Sequence, residues 1–250
     1  YEAAAQVLAD RHPDGIKKVL EDAGLLGRGG AAFPIGVKLS TVAKDAPYPR
    51  YMVCNADEME PGTFKDRVML HTSPHMLIEG MLIGAYAIDA EHGIIFIRPE
   101  YENAARILER EVGLARQAGW LGNNIQGSGF AFDIVVHRSG GRYICGEATA
   151  LINALEGKRA NPRKPPPYPT DKGLWQLPTD VQNVETLCAV PHVIKNGVAW
   201  FQHLAAHPEE AGTKLYSISG RVKKPGCYEL PMGIRLSELI EECAGGMAGD

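Results

Sequence analysis

Short apolar runs alternate with amphipathic helical stretches through the first two thirds of the chain, and this alternation constrains the fold more than any other feature. Residues 51–54, 93–97 and 132–136 have the composition of buried strands. Helical periodicity separates them, over 73–87 and 100–118. Strand–helix alternation of this kind predicts an α/β fold: a Rossmann-like parallel sheet with helices on both faces.

The same patterns predict further elements around this core. Helices are expected over 10–23, 34–43 and 146–155. Residues 161–169 are rich in proline, which excludes helix and favours an extended connector. The polar residues that follow the first and third strands belong at one edge of the sheet, because ligand sites in such folds lie at the carboxyl ends of the strands.

A second, smaller unit follows the α/β region. Residues 214–220 and 227–230 have the pattern of two strands around a Lys-Lys-Pro-Gly turn, and 236–244 the pattern of a helix. So few elements cannot bury an independent core. We therefore predict one domain over 1–205 and an incomplete second domain over 206–250.

Composition excludes several classes of function. The 250 residues carry a net charge of −4, which gives no basic footprint for nucleic acid. No apolar run approaches the ~20 residues of a membrane helix, so we expect membrane association only through a partner. Five scattered cysteines, with no Cys-x-x-Cys pair, favour a reducing compartment and a chain that holds no metal.

The loop Gly27-Arg28-Gly29-Gly30 is the first candidate site. Glycines bring bare backbone N–H groups close to a ligand, and the arginine adds positive charge, so the loop suits a phosphate at the start of the following helix. The spacing also fits a dinucleotide fingerprint, but a helix precedes the loop where that motif needs a strand. From these residues alone the loop is either an anion site or a tight turn.

An acidic turn follows the first strand and is the second candidate. Asn55, Asp57, Glu58 and Glu60 lie ahead of a Pro-Gly turn. Such a cluster is a solvated surface in many proteins. Its place at the end of a buried strand favours a site in which carboxylates accept hydrogen bonds from ribose hydroxyls or ring N–H groups.

A second glycine-framed turn, 140–147, leads into a helix, with Glu147 expected in the first helical turn. Two glycine-rich turns and an acidic turn on one rim predict a nucleotide site. The alternative is a nucleophilic Cys145 whose pKa is lowered by the helix N-terminus, although no histidine is positioned to support it.

Taken together and in order, these motifs resemble the NADH-binding FMN flavoprotein subunit of respiratory complex I, with relatives in NAD-reducing hydrogenases and NAD-dependent formate dehydrogenases. The quinone-reducing bacterial enzyme is the nearest likeness. The matching segments extend through most of the chain: 27–34, 55–67, 143–147, 155–157, 161–163 and 183–186. Each is longer than a generic motif, so the resemblance is specific.

The resemblance implies two binding sites. The FMN site would comprise residues from the glycine loop, the acidic turn, the second glycine turn and the segment 181–183: Gly27, Arg28, Gly29, Lys38, Asn55, Asp57, Glu58, Tyr143, Gly146, Glu147, Val181, Gln182 and Asn183. The NADH site would comprise Gly30, Phe33, Glu60 and Tyr168, with the two aromatic rings around the adenine and Glu60 near the nicotinamide.

The resemblance also implies the reaction and the partners. Hydride passes from NADH to FMN, and single electrons leave for iron–sulfur clusters and quinone. No residue has a catalytic role of its own, because FMN carries the chemistry while Glu60 and Glu147 help to position it. The expected partners are the thioredoxin-like [2Fe–2S] subunit and the large iron–sulfur subunit, in a complex on the cytoplasmic face of the inner membrane. In the family a β-grasp (ubiquitin-like) domain follows the α/β domain, so the resemblance implies that residues 206–250 are the start of such a domain. The ligands of the family's [4Fe–4S] cluster, which belong to a further helical domain, are not in this sequence, so the chain is either part of a longer protein or a flavin protein without that cluster.

Several positions depart from the family pattern, mostly on the nicotinamide side: Ala32, Thr41, Ala148, Pro165 and Gln182. Ala148 stands where the family has a second glutamate. Loss of that carboxylate removes repulsion against a 2′-phosphate, which predicts weaker discrimination against NADPH. The departures leave two alternatives open: a flavin-binding or scaffold module impaired in catalysis, or the diaphorase subunit of a hydrogenase or formate dehydrogenase.

Overall fold

A four-stranded parallel sheet forms the centre of the computed structural model, which describes residues 1–249. Its strands are β1 (Tyr51–Ala56), β2 (His92–Ile97), β3 (Asp133–Arg138) and β4 (Thr179–Asn183), in the order β3-β2-β1-β4. The register sets Val53 of β1 between Ile94 of β2 and Val181 of β4. The predicted α/β fold with a parallel sheet is confirmed.

Helices surround this sheet, and a further short helix lies in the second unit. They are α1 (Glu2–Asp10), α2 (Pro13–Asp22), α3 (Ile35–Ser40), α4 (Lys65–Thr72), α5 (Pro74–Ile88), α6 (Glu102–Gln117), α7 (Ala148–Leu155), α8 (Pro169–Lys172), α9 (Val184–Asn196), α10 (Val198–Gln202) and α11 (Leu236–Glu238). The helix expected over 10–23 is present as α2, but it begins at Pro13, and the preceding helix α1 was not predicted. Arg11 adopts a left-handed conformation, with φ of 51°, that ends α1, and Pro13 begins α2.

Side chains of β1 alternate between two cores, as a strand covered on both faces requires. Met52 and Cys54 belong to the larger core, which α1, α2, α3, α5, α6 and α9 cover. Tyr51 and Val53 belong to a smaller core that includes Leu151 of α7. Helices therefore lie on both faces of the sheet, as predicted.

Helices α5 and α9 approach each other closely at Gly80. A Cβ atom added there would lie 2.0 Å from the carbonyl oxygen of Leu187. Because this neighbour is backbone, the helices can pack so closely only where one residue lacks a side chain. At Gly84, one turn further along α5, an added Cβ atom would instead lie 2.9 Å from Cε at the flexible tip of Met52.

Strand β4 is the strand of the parallel sheet that the sequence pattern did not reveal. Its sequence TDVQN carries one apolar side chain, Val181, so no apolar run marks it. It pairs with β1 and brings Asn183 to the carboxyl edge of the sheet. Four of its five residues are nevertheless buried, because both faces of this strand are packed.

A separate two-stranded antiparallel sheet follows, formed by β5 (Thr213–Ile218) and β6 (Gly226–Pro231). This confirms the expected hairpin. The helix expected over 236–244 is instead the single turn α11 followed by a π-helical turn, Leu239–Cys243. No helix within residues 1–249 combines the length and the apolarity needed to cross a bilayer.

Candidate functional site: a cleft at the carboxyl edge of the sheet

A cleft of about 1240 Å³ opens at the carboxyl edge of the parallel sheet. Its lining comes from the glycine loop 27–33, the acidic turn 55–66, the second glycine turn 143–148 and the segment 181–186. Strand β5 of the second sheet lines it as well. The two glycine-rich turns and the acidic turn thus share one rim, as the strand pattern predicts.

The glycine loop projects from a short antiparallel bridge between Leu26 and Pro34. The Gly27 N–H donates to the Phe33 carbonyl at 2.9 Å, which closes the loop. Gly30 has φ of 113° and Ala32 has φ of 52°, both in the left-handed region. A left-handed residue with a side chain costs roughly 1–2 kcal/mol, so Ala32 holds a conformation that glycine would adopt at lower cost.

Arg28 does not direct its charge into the cleft, contrary to expectation. Its guanidinium donates to the backbone carbonyls of Ala211 and Thr213, at 3.3 and 3.0 Å, and so ties the loop to the start of β5. Its backbone N–H donates to the Thr186 hydroxyl at 2.8 Å. Lys38 of α3 lines the cleft, with its ammonium hydrogen-bonded to the Val181 carbonyl.

Asp57 is the least satisfied polar residue of the cleft. It is 3% exposed; its Oδ1 accepts a hydrogen bond from the Ser139 hydroxyl at 2.7 Å, whereas its Oδ2 has no partner. Burial raises the pKa of this carboxyl above its ordinary value, and Ser139 and Arg98 only partly oppose the effect. A ligand hydroxyl or ring N–H that donates to Oδ2 would remove this deficit.

We predict that Asp57→Asn makes the ligand-free protein more stable at pH 7, by on the order of 1 kcal/mol, because an unpaired buried charge costs more than a neutral amide. Since the folded-state pKa of Asp57 lies above its unfolded value, the contribution of Asp57 to stability falls as pH rises from about 4 through that pKa, so the wild type loses stability relative to the variant over this range. Thermal unfolding of both proteins from pH 4 to 8 checks this. Parallel pH profiles for the two proteins would contradict it.

The other carboxylates of the acidic turn have partners within the chain. Glu58 accepts hydrogen bonds from the N–H groups of Asp66 and Arg67, at 3.0 and 3.2 Å, and from the Tyr101 hydroxyl at 3.0 Å. It therefore holds the first turn of α4. Glu60 instead remains at the mouth of the cleft, where the exposed Tyr143 donates a hydrogen bond to it.

The second glycine turn is anchored by two hydrogen-bonding residues. The Asn55 amide donates to the Gly146 carbonyl at 2.9 Å, which joins this turn to the acidic turn. Glu147 is the N-cap of α7 rather than a residue of its first turn, and its carboxylate accepts from the N–H groups of Thr149 and Ala150. Burial raises the pKa of the Cys145 thiol, so the expectation of a lowered pKa is wrong.

The end of β4 contributes Val181, Gln182 and Asn183 to the cleft lining. The Gln182 amide donates to both oxygens of the buried Asp180, at 3.1 and 2.9 Å. Asn183 is the N-cap of α9, and its Oδ1 accepts from two N–H groups of the first turn. The N-terminus of α9 thereby faces the glycine loop.

Every site residue implied by the resemblance lines the cleft except Tyr168. Tyr168 is exposed at the N-cap of α8, after the proline-rich segment. The cleft lining also includes Lys65, Thr186 and strand β5, to which the sequence analysis assigned no role. The motifs 65–67 and 183–186 could have indicated a role for Lys65 and Thr186, since they contain these residues. Within residues 1–249 no three His, Cys, Asp or Glu side chains converge as a metal site would require.

Comparison with known proteins gives this cleft a context. Residues 20–192 match the model of the Nuo51 FMN-binding domain, and residues 215–250 match that of the SLBB domain. The chain belongs to the Nuo51 FMN-binding family. It is 54% identical over 248 residues to a subunit of the NADH-quinone oxidoreductase of Salmonella typhimurium, and 49% identical over 251 residues to the corresponding subunit of Aquifex aeolicus.

The matched relatives of the Nuo51 family are longer than this chain. The alignments cover 99% and 100% of the chain but 56% and 58% of these two relatives. A solved structure titled as an NAD⁺-reducing [NiFe]-hydrogenase in the H2-reduced state has a TM-score of 0.86 and 40% identity. That match covers 95% of this chain and 40% of the hydrogenase chain.

Proposed function

We propose that this chain is the NADH-oxidising flavin module of an NADH–quinone oxidoreductase. The observation that carries the proposal is a single cleft, in a chain of the Nuo51 FMN-binding family, that collects all but one of the residues implied for FMN and NADH. Bound FMN supplies hydride acceptance from NADH and release of single electrons. The chain's own residues bind and orient the two ligands.

The cleft offers groups that fit FMN. The glycine loop lies beside the N-terminus of α9, whose dipole favours an anion. The N–H groups of Gly27 and Arg28 and those of the first turn of α9 already have partners, which leaves the N–H groups of Gly29 and Gly30 for a phosphate. Asp57 presents a buried oxygen without a partner, which suits a hydroxyl or a ring N–H. Gly30 and Gly146 have open space where a Cβ atom would project, so backbone can approach a ligand at both positions.

NADH would lie on the outer side of the same cleft. We assign Phe33 and Tyr168 to the adenine and Glu60 to the nicotinamide end. Phe33 and Tyr168 are 52% and 63% exposed, so each ring has a face free for stacking. Tyr168 would have to come to the cleft on binding, since it is absent from the lining.

The proposal includes the setting of the reaction. Electrons leave to partner subunits that carry iron–sulfur clusters: the thioredoxin-like [2Fe–2S] subunit and the large iron–sulfur subunit. Longer members of the family would hold a [4Fe–4S] cluster of their own, and the iron–sulfur partners would place the protein on the cytoplasmic face of the inner membrane. A diaphorase role in a hydrogenase is the second candidate, favoured by the hydrogenase fold match at 40% identity. Identity of 54% to an NADH-quinone oxidoreductase subunit favours the quinone enzyme.

An anaerobic absorbance titration of the FMN-loaded protein tests the proposal. Bleaching of the flavin band by near-stoichiometric NADH is expected. A stably bound flavin that NADH does not reduce would support the impaired module instead. Failure to bind FMN at all would overturn the assignment of the cleft.

We predict that Ala148→Glu raises the preference for NADH over NADPH at least about tenfold, because a carboxylate beside a 2′-phosphate costs more than about 1.4 kcal/mol. Ala148 lines the cleft at the first position of α7, where a carboxylate is also favourable to the helix. The ratio of kcat/KM for the two nucleotides measures the effect, with Ala148→Gln as the neutral control. An unchanged ratio in the glutamate variant would refute it.

A further inference from the structure

A buried network of charges lies beside the cleft, centred on Lys65. Its ammonium is 2.7 Å from Asp66 Oδ1 and 2.9 Å from Glu185 Oε2, and its side chain is 9% exposed. It also reaches Asn183 Oδ1, at 3.5 Å. One cation therefore balances two buried carboxylates from different helices, α4 and α9.

Each of these carboxylates also binds a wall of the cleft. Asp66 Oδ2 accepts from the Asn183 amide at 2.6 Å, which holds the N-cap of α9. Glu185 Oε1 accepts from the Leu215 N–H at 2.7 Å, which holds strand β5. Through the Asp66 N–H the network continues to Glu58 of the acidic turn. Three cleft walls thus meet at one buried ion cluster.

We propose that Lys65 is a positioning residue: its charge keeps the acidic turn, the N-terminus of α9 and strand β5 in the arrangement that binds FMN. The inference rests on the proposed function for the identity of the ligand. Without the ammonium, Asp66 and Glu185 would be neighbouring buried anions with no cation between them, and the walls would separate to hydrate them.

The charge on Lys65 is secure in the folded protein. Burial opposes the ammonium, but the charges of Asp66 and Glu185 outweigh burial and raise the Lys65 pKa above its ordinary value. Other titratable groups facing the network come from every element around it: Glu58, Cys54, Cys188, Arg28, Tyr216 and Cys227. Burial raises the pKa of the three thiols and of the phenol, so these groups stay neutral near neutral pH and add no charge to the network.

The test is the FMN affinity of Lys65→Met in the full-length protein, measured by quenching of FMN fluorescence from pH 5.5 to 8. At pH 8 we expect binding about tenfold weaker than wild type, or more. Binding should recover toward pH 5.5 relative to wild type, by up to about tenfold per pH unit, because one carboxyl takes up a proton. A constant ratio across this range would overturn the proposal.

Two further variants make the result specific to charge. Lys65→Met combined with Glu185→Gln leaves one carboxylate, and we expect it to regain most of the affinity and to lose the added pH dependence. If the single variant does not fold, the double variant carries the test and must fold and bind FMN. Lys18→Met removes an exposed ammonium that is also 2.7 Å from its partner, Asp22, and we expect no change.

A measurement without FMN separates this inference from the proposed function. Amide hydrogen exchange at Leu215 reports the hydrogen bond to Glu185 directly. Lys65→Met should speed this exchange about tenfold or more in the ligand-free protein, whereas Lys18→Met should not. Wild-type protein that fails to bind FMN would refute the proposed function, while unchanged exchange at Leu215 would refute the role of Lys65.

Discussion

Gly80→Ala is expected to destabilise the protein by at least about 3 kcal/mol, or roughly 6–12 °C in the unfolding midpoint. The added Cβ would lie 2.0 Å from the Leu187 carbonyl oxygen, and backbone of α9 cannot move aside as a side-chain tip can. The helices must separate and open the larger core. Thermal and denaturant unfolding of the ligand-free protein measure the loss.

Two other helical glycines provide a graded control. Gly113 of α6 has open space where a Cβ atom would project, so Gly113→Ala should stabilise by about 0.5–1 kcal/mol through helix propensity. Gly84→Ala meets only the tip of Met52, and we expect an effect near zero. A Gly80 variant as stable as the Gly113 variant would mean that α5 and α9 do not pack as described.

Gly30→Val should remove most nucleotide binding while the fold survives. The backbone at Gly30 has φ of 113°, which a β-branched residue does not adopt, so the loop must leave its conformation. Strain of about 1–3 kcal/mol corresponds to a loss of roughly 5- to 150-fold in affinity. FMN fluorescence and NADH titration of the same preparation measure both ligands.

Gly129 offers a matched substitution outside the cleft. It has φ of 84° and open space around its Cβ position, so Gly129→Val carries comparable strain. It should lower stability by a similar amount and leave both affinities unchanged. Equal losses of binding in the two variants would show that the loop conformation at Gly30 is not what holds the nucleotide.

Local signals predicted much of the fold and of the cleft. The strands β1, β2 and β3 and the hairpin β5–β6 were readable because each is an apolar run or an alternating pattern bounded by turns. Motif composition and resemblance located the acidic turn and both glycine turns. Their convergence followed from the parallel sheet, since the carboxyl ends of its strands share one edge.

What the sequence left undetermined depends on contacts between distant segments. Strand β4 is polar by composition and is a strand because β1 lies beside it. The side chain of Arg28 points away from the cleft because the backbone carbonyls of Ala211 and Thr213 accept its hydrogen bonds. Lys65 forms ion pairs with carboxylates of α4 and α9, and these two carboxylates come together only in the folded chain. No local pattern encodes these pairings.

The position of β4 also determines when the sheet and the cleft can form during synthesis of the chain. Strand β1 is complete at residue 56, yet its second partner begins at residue 179, and the glycine loop rests on Thr186. Until that late segment leaves the ribosome, one edge of β1 stays unpaired and exposes backbone groups that can pair with another chain. Because strand β5 also lines the cleft, the nucleotide pocket is complete only after synthesis has passed residue 218, so flavin insertion follows translation of this region.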